Sequence, residues 1–150
     1  MTNKKIFCII IKELRIVAGF NWGAKHKAYW KTMVKDDSTD MLWESVGTID
    51  DLKAKNTAND MGTVSSNLQR MAVAATHKYS SLKGDPELIA DIEYGFDKFF
   101  KYYYGEGIDW FGTHVWQHII GFHKTLGQAM VLLYDVLPYE KVKYYSEQLY

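Results

Sequence analysis

The stretch GDPELIADIEYGFDKFFKYYY, residues 84–104, decides the fold that this chain is expected to adopt. Asp85 is placed to cap a helix, Pro86 occupies the first helical position, and Glu87 lies near the positive end of the helix dipole. Large apolar residues then recur at three- and four-residue spacing, at Leu88, Ile89, Ile92, Phe96, Phe99, Phe100 and Tyr103. Charged residues oppose them at Asp91, Glu93, Asp97, Lys98 and Lys101. The pattern predicts one long amphipathic helix that ends near Gly105 and Gly107.

The segments on either side also predict helices. Ser66 with Gln69 three residues later forms a capping box. The core face that follows it comprises Leu68, Met71, Ala72, Ala75 and Tyr79. A helix from about Thr113 to Tyr134 is apolar nearly all round and should therefore be central. Pro138 marks a further helix start, and the apolar face of this last helix comprises Val142, Tyr145 and Leu149.

The first part of the chain is less regular. Ile6 to Val17 predicts a helix, although its first six residues could equally form a short strand. Residues 29–34 give a short helical patch, whereas the polar segment 47–59 is expected at the surface. Short links between helices favour antiparallel neighbours. The chain is therefore predicted to be all-α, an array of antiparallel helical hairpins in a single helical domain over residues 1–150.

Composition excludes several classes of function. The chain has 150 residues, of which 47% are hydrophobic, and its 18 basic and 18 acidic side chains cancel. Nothing in this balance indicates binding to nucleic acid or to a membrane surface. Cys8 is the only cysteine, so no intrachain disulfide can form. The apolar run at residues 6–11 is too short for a signal peptide and lacks a cleavage site, so no export signal is visible.

The stretch DWFGTHVWQHIIG, residues 109–121, is the candidate site, and we call it the aromatic motif. Its tryptophans and histidines, Trp110, His114, Trp116 and His118, exceed what a plain core helix requires. Sugars present apolar C–H faces and hydroxyl groups, and they suit rings that lie beside polar nitrogens. The same residues could instead be a buried helix N-terminus, with no ligand at all.

Rival kinds of site have less support. His114 and His118 lie four residues apart, as two zinc ligands on one helix face would, and zinc could bind there if a third ligand came from elsewhere in the chain. No Glu follows His114 in the hydrolase position and no Cys is nearby, so we expect no metal or cofactor. Asp36, Asp37 and Asp40 lack the glycine and terminal glutamate of a calcium loop, so a turn or helix cap is expected there. The aromatic runs at residues 99–100 and 102–104 are expected to be core packing.

Residues 66–79, SNLQRMAVAATHKY, followed by residues 84–99 resemble the paired helices that precede the active cleft of polysaccharide lyase family 8. In that family an aromatic motif, often Asn-Trp-Trp-x-x-x-Ile-Gly, then leads a long helix. Trp116, Ile120 and Gly121 match that form. The sequence from Thr113 to Trp116, Thr-His-Val-Trp, is similar to the branch of broad-specificity chondroitin sulfate ABC lyases. The resemblance covers about residues 60–150.

The resemblance implies an N-terminal α/α toroid, β-sheet domains after it, and cleavage of uronic-acid-containing polymers by β-elimination. The family's catalytic Asn, His, Tyr and Arg would lie beyond residue 150, so no catalytic residue is assigned here. Trp116, then His114, Trp110 and His118, would bind an acidic polysaccharide of the chondroitin sulfate or hyaluronan type. The family is exported, so a secreted or periplasmic location is implied. The alternative is a noncatalytic helical scaffold that binds a partner chain.

Overall fold

The computed structural model describes residues 30–55, 58–105, 107–108 and 120–149, and this part of the chain is helical. The helices are α1 (Ile49–Lys55), α2 (Ala58–Thr76), α3 (Pro86–Tyr102), α4 (Phe122–Leu133) and α5 (Tyr139–Leu149). Within these ranges the only strand-like pairing is an isolated antiparallel bridge between Met33 and Trp43. The all-α prediction is confirmed. The helix predicted from Ile6 to Val17 lies outside the described residues.

The helices form hairpins. Links at residues 77–85 and 134–138 return the chain alongside the helix it has just left, so that α2 packs on α3 and α4 packs on α5. The most extensive contact joins α2 to α4, where the side chains of Gln69 and Gln128 are hydrogen-bonded. Lys141 of α5 binds Asp97 of α3 at 2.6 Å. The predicted array of antiparallel helical hairpins, part of an α/α toroid, is therefore confirmed.

Helix α3 begins as its sequence dictates. The Asp85 carboxylate accepts hydrogen bonds from the backbone N–H groups of Glu87 and Leu88 at 3.0 and 3.1 Å, and Pro86 occupies the first turn. The predicted apolar stripe is buried from Leu88 to Tyr103, with only Ile89 partly exposed. Gly95 lies where α3 meets α2, because a Cβ atom at that position would be 2.5 Å from Leu68 Cδ2. The cap and the buried face of α3 therefore both match those predicted from the sequence.

The start of α2 predicted from the capping box is wrong. The helix begins at Ala58, and Ser66 lies in its interior. The turns before Ser66 contribute the buried Val64 to the core, and this packing extends the helix past the apparent capping box. The helix stops at Thr76, where the Ala75 carbonyl accepts a hydrogen bond from the N–H group of Gly84 at 2.9 Å. Gly84 adopts a positive φ of 72° in this turn.

Two further predictions need correction for the same reason, that tertiary packing overrides a local pattern. Tyr79 lies beyond the end of α2 and is 80% exposed, although its spacing had placed it on the core face. Segment 47–59, predicted to lie at the surface, contains α1, whose Ile49 and Leu52 are buried. The core faces predicted for α2 from Leu68 to Ala75 and for α5 at Val142, Tyr145 and Leu149 are confirmed.

Candidate functional site

The four predicted sugar-binding residues, Trp110, His114, Trp116 and His118, lie outside the described residues. The structure does describe the chain on both sides of the aromatic motif. Tyr104, just after α3, packs edge-on against Phe122 at the start of α4, with 5.6 Å between ring centroids. The Tyr104 hydroxyl and His123 Nε2 are 3.5 Å apart. The end of α3 and the start of α4 are therefore held together at one end of the array.

An aromatic cluster supports this end of the array. Phe99 stacks on Tyr103 at 5.4 Å and meets the edge of Phe122 at 5.2 Å. Phe100 stacks on Tyr145 of α5 at 5.4 Å. These rings are buried, as is Tyr104, and burial raises the pKa of the Tyr104 hydroxyl. The prediction that these aromatic runs are packing residues is confirmed for Phe99, Phe100, Tyr103 and Tyr104, whereas Tyr102 is only half-buried.

Tyr102 belongs to a second feature, an open cleft of about 270 Å³ along the outer face of α3, which we call the α3 cleft. Its lining residues are Asp37, Tyr94, Asp97, Lys98, Lys101 and Tyr102. This cleft is not predicted from the sequence, because the spacing of Asp97, Lys98 and Lys101 places them on the face of α3 that opposes the apolar stripe. The available signal was the recurrence of tyrosine and lysine at positions 94, 98, 101 and 102, which share one helix face.

Lys98 is buried, contrary to the prediction that it faces solvent. Its ammonium group donates hydrogen bonds to the carbonyl oxygens of Asp36 at 2.8 Å and Met41 at 3.0 Å. Burial lowers the pKa of this ammonium, while the nearby acidic groups oppose that change. The turn at residues 36–41 therefore surrounds a lysine side chain and is fastened by it to α3.

The acidic cluster has the role predicted for it, that of a turn and a helix cap. Asp36 Oδ1 accepts hydrogen bonds from the Ser38 hydroxyl at 2.7 Å and the Ser38 N–H at 2.8 Å, and these bonds lower the pKa of the Asp36 carboxyl. The Asp40 carboxylate accepts from the N–H group of Ile49 at the start of α1. These carboxylates therefore shape the loop.

Asp91 is the second charged residue of α3 that is buried against prediction. Its carboxylate accepts a hydrogen bond from Trp30 Nε1 at 2.8 Å. It also forms an ion pair with the Lys35 ammonium at 2.7 Å. Residues 30–43 cover this side of α3, which a helix considered alone would expose to water. Asp91 and Lys98 are thus the polar anchors of a covering segment.

Among the described residues, no three His, Cys, Asp or Glu side chains are grouped so that they could hold a metal ion. None of the helices described above is long and apolar enough to cross a membrane. What this part of the chain offers chemically is a set of hydroxyl, ammonium and carboxylate groups beside aromatic rings.

Comparison with known proteins fits this architecture. The profile of the polysaccharide lyase family 8 N-terminal α-helical domain matches residues 18–150. Xanthan lyase of Bacillus sp. (strain GL1) is 26% identical over 121 residues, which are 81% of this chain and 12% of that protein. The solved structure of Paenibacillus xanthan lyase matches with a TM-score of 0.75 at 22% identity, over 97% of this chain and 15% of that one.

This chain thus spans only a small part of the length of either relative. The structural match establishes a shared fold, and the profile covers most of the sequence, including both flanks of the aromatic motif. The chain belongs to polysaccharide lyase family 8 and carries residues of the family's N-terminal α-helical domain.

Proposed function

We propose that this chain is the N-terminal helical part of a polysaccharide lyase that cleaves uronic-acid-containing polymers by β-elimination. In this proposal residues 1–150 form one helical domain, the incomplete first part of the toroid, and supply one wall of the sugar-binding cleft. The observation that carries the proposal is the family profile, whose match over residues 18–150 includes the paired helices and the aromatic motif.

Sugar binding is assigned to the aromatic motif. Trp116 would stack on the apolar face of a sugar ring, while His114, Trp110 and His118 would hydrogen-bond to its hydroxyl groups. The contact between Tyr104 and Phe122 supports this assignment, because it fixes the chain on both sides of the motif. A binding site gains precision when rigid elements hold its ends.

The chemistry requires more than these residues. β-Elimination needs a group that neutralises the uronate carboxylate, a base that removes the C5 proton, and an acid for the leaving glycosidic oxygen. The family resemblance assigns these groups to positions beyond residue 150. We therefore expect the 150-residue chain to bind its polymer without turning it over. The rest of the toroid and the β-sheet domains would be its partners, in a secreted or periplasmic enzyme.

The ligand class is an acidic polysaccharide. The Thr-His-Val-Trp sequence at residues 113–116 favours the chondroitin sulfate or hyaluronan type and the chondroitin sulfate ABC lyase branch. The two relatives described above are named xanthan lyases, so xanthan is the competing polymer. The three polymers differ in their sugar units, and a direct comparison of binding discriminates among them.

The test is a tryptophan fluorescence and NMR titration of the 150-residue chain with chondroitin sulfate, hyaluronan and xanthan oligosaccharides. We expect saturable binding to one of them, weakened at least about tenfold, or ~1.4 kcal/mol, by Trp116→Ala. Tyr139→Ala is the matched control, because it removes another aromatic ring, one that is 62% exposed and lies at the start of α5.

An absorbance assay for unsaturated uronate accompanies the titration. Appearance of the unsaturated product would place catalytic groups within residues 1–150 and contradict the assignment above. Absence of a saturable response to all three polymers would favour the noncatalytic scaffold that binds a partner chain. If Trp116→Ala and Tyr139→Ala reduced the affinity for the oligosaccharide equally, the aromatic motif would not be the binding site.

A further inference from the structure

The α3 cleft is a surface feature that neither the core nor the aromatic motif explains. It extends along α3 from Tyr94 to Tyr102, which is about 12 Å at the rise of an α-helix. Its far end is the last residue of α3, next to the point where Tyr104 meets Phe122. The cleft therefore opens beside the end of the array that flanks the aromatic motif.

The floor and one wall of the cleft are held in place by internal hydrogen bonds. The Lys98 ammonium has three acceptors, namely the carbonyls of Asp36 and Met41 and, at 3.4 Å, the Tyr94 hydroxyl. An ammonium has three N–H donors, so this set uses all of them. Lys98 therefore has a structural role in the cleft, and its ammonium has no further N–H group to donate to a ligand.

Tyr94 is fixed in the same way. Its hydroxyl donates a hydrogen bond to Asp37 Oδ1 at 3.0 Å. Burial, together with the Asp37 carboxylate, raises the pKa of Tyr94 to about 12, so the hydroxyl keeps its proton at neutral pH. On the opposite side, Asp97 accepts hydrogen bonds from Lys141 and from the Tyr145 hydroxyl, each at 2.6 Å. A site whose walls are already ordered loses less entropy when it binds a ligand.

The cleft presents an ammonium, a carboxylate and part of an aromatic ring, and each of them also has a partner within the protein: Lys101 is hydrogen-bonded to Tyr102, and Asp37 accepts from the Tyr94 hydroxyl. An ammonium has three N–H donors and a carboxylate has about four lone-pair sites, so both retain capacity for a ligand. Lys101 is exposed, and its Nζ lies 4.7 Å from the centre of the half-buried Tyr102 ring. Asp37 is exposed across the cleft. Sugar hydroxyl groups both donate and accept hydrogen bonds, so they can bridge an ammonium and a carboxylate, and the C–H groups of the sugar can contact the ring.

Charge and size narrow the class of sugar. Asp37 and Asp97 balance Lys98 and Lys101 among the lining side chains, and the Lys98 charge is already engaged by backbone carbonyls. The lining side chains therefore carry no net charge and give an anionic sugar no net attraction to offset the loss of its hydration, whereas a neutral sugar needs none. The 270 Å³ volume falls just below the roughly 300–1,000 Å³ typical of small-molecule sites, so it fits one ring better than several.

We propose that the α3 cleft binds one neutral hexopyranose unit of the polysaccharide. This inference rests on the proposed function for the identity of the polymer, whose acidic unit would be held elsewhere. The cleft then acts as a separate contact that selects heteropolymers in which neutral and acidic sugars coexist, and it adds affinity through simultaneous engagement of one chain at two sites.

The test uses two methyl glycosides that differ only at C6: methyl β-D-glucopyranoside, which is neutral, and methyl β-D-glucopyranosiduronate, which has a free carboxylate and is called the glucuronate below. Both are titrated into the ¹⁵N-labelled 150-residue chain, and backbone amide shifts are followed by NMR. We expect the glucoside to shift the amides of Tyr94, Lys101 and Tyr102 saturably, with a Kd on the order of 1 mM. The glucuronate should bind at least about threefold more weakly, because of its charge.

Three variants sharpen the result. Lys101→Ala should weaken glucoside binding at least about threefold, since it removes an exposed ammonium whose N–H groups beyond the one bonded to Tyr102 would donate to the sugar, at a position that does not contribute to the core. Asp37→Asn should bring glucuronate binding close to glucoside binding. Tyr139→Ala, on α5 and outside the cleft, should leave both unchanged. Absence of saturable shifts, equal binding of the two ligands by the unmodified chain, or shifts confined to other residues would each overturn the proposal.

This proposal and the lyase function can fail separately. If the cleft binds sugar but the chain is not part of a lyase, Lys101→Ala will reduce glucoside binding while no acidic polymer is bound at the aromatic motif. If the lyase function holds and the cleft is unused, Trp116→Ala will weaken acidic oligosaccharide binding at least about tenfold while the cleft amides stay unshifted with glucoside.

Discussion

Replacing Gly95 with alanine tests the closest contact between α2 and α3. Inside a helix with free space around the position this change is favourable, because alanine stabilises a helix by roughly 0.5–1 kcal/mol relative to glycine. Here the added Cβ would lie 2.5 Å from Leu68 Cδ2 and 3.2 Å from Met33 Cε. Both neighbours are buried and cannot swing into solvent. Overpacking a filled core costs typically 1–3 kcal/mol, so we expect Gly95→Ala to destabilise the protein by about 1–2 kcal/mol net.

Gly127 of α4 is the matched control. It also lies inside a helix, but a Cβ atom there would meet no heavy atom within 4 Å. Gly127→Ala should therefore stabilise the protein by roughly 0.5–1 kcal/mol, so the same chemical change has opposite signs at the two positions. Urea denaturation followed by circular dichroism gives both values. In thermal unfolding each 1 kcal/mol corresponds to roughly 2–4 °C for a chain of this size.

A double-mutant cycle isolates the contact itself. Leu68→Ala removes the methyl group that the new Cβ would strike, so Gly95→Ala should cost less in that background than in the unmodified chain. Additive effects, or stabilisation by Gly95→Ala equal to that of Gly127→Ala, would refute the argument that α2 and α3 meet at Gly95.

Three further predictions concern the segment that covers α3. Asp91→Ala should lower the free energy of unfolding, measured by urea denaturation, by about 2–3 kcal/mol, because Trp30 Nε1 and the Lys35 ammonium lose their acceptor. Asp91→Asn should lower it less, because an amide oxygen can still accept from Trp30. Lys98→Met should cost about 1–3 kcal/mol and speed amide hydrogen exchange at residues 36–43, while Lys101→Met should do neither. The folded-state pKa of Asp36 lies below its ordinary value of 3.8, so its stabilising contribution is present above that pH and is lost as the pH falls through the lowered pKa. Ser38→Ala should return the NMR-measured pKa of Asp36 toward 3.8, and an unchanged value would contradict the role of the two Ser38 hydrogen bonds.

The start of α3 could be predicted because every rule that sets it is local. Asp85, Pro86 and Glu87 lie within one turn, and the cap bonds observed are those that the residue types imply. The buried faces of α3 and α5 were also predictable, since a regular apolar spacing admits one orientation toward a core. These predictions required no knowledge of which helix packs against which.

The boundaries of α2 depend on residues far away in sequence. Ser66 and Gln69 have the spacing of a capping box, yet Gln69 bonds to Gln128 of α4, and the helix continues toward the N-terminus past both of them. The core contact of Val64 favours that extension, and no local motif encodes it. Tyr79 does not lie on the core face because α2 stops before it, at the turn in which the Gly84 N–H group bonds to the Ala75 carbonyl.

The polar residues of α3 were hardest to interpret because a helix considered alone has only one buried face. Asp91 and Lys98 are buried on the other side, under residues 30–43, whose own apolar groups include Trp30, Leu42 and Trp43. Those groups pack over α3, where the Asp91 carboxylate accepts from the Trp30 N–H and the Lys98 ammonium donates to the turn carbonyls. The sequence shows the charged residues of α3 and the apolar residues of segment 30–43, but it does not show that they contact each other. The α3 cleft follows from the same arrangement, because it lies at the edge of the covering segment, where the Tyr94 hydroxyl bonds to Asp37 and where Lys101 is exposed and Tyr102 is half-buried.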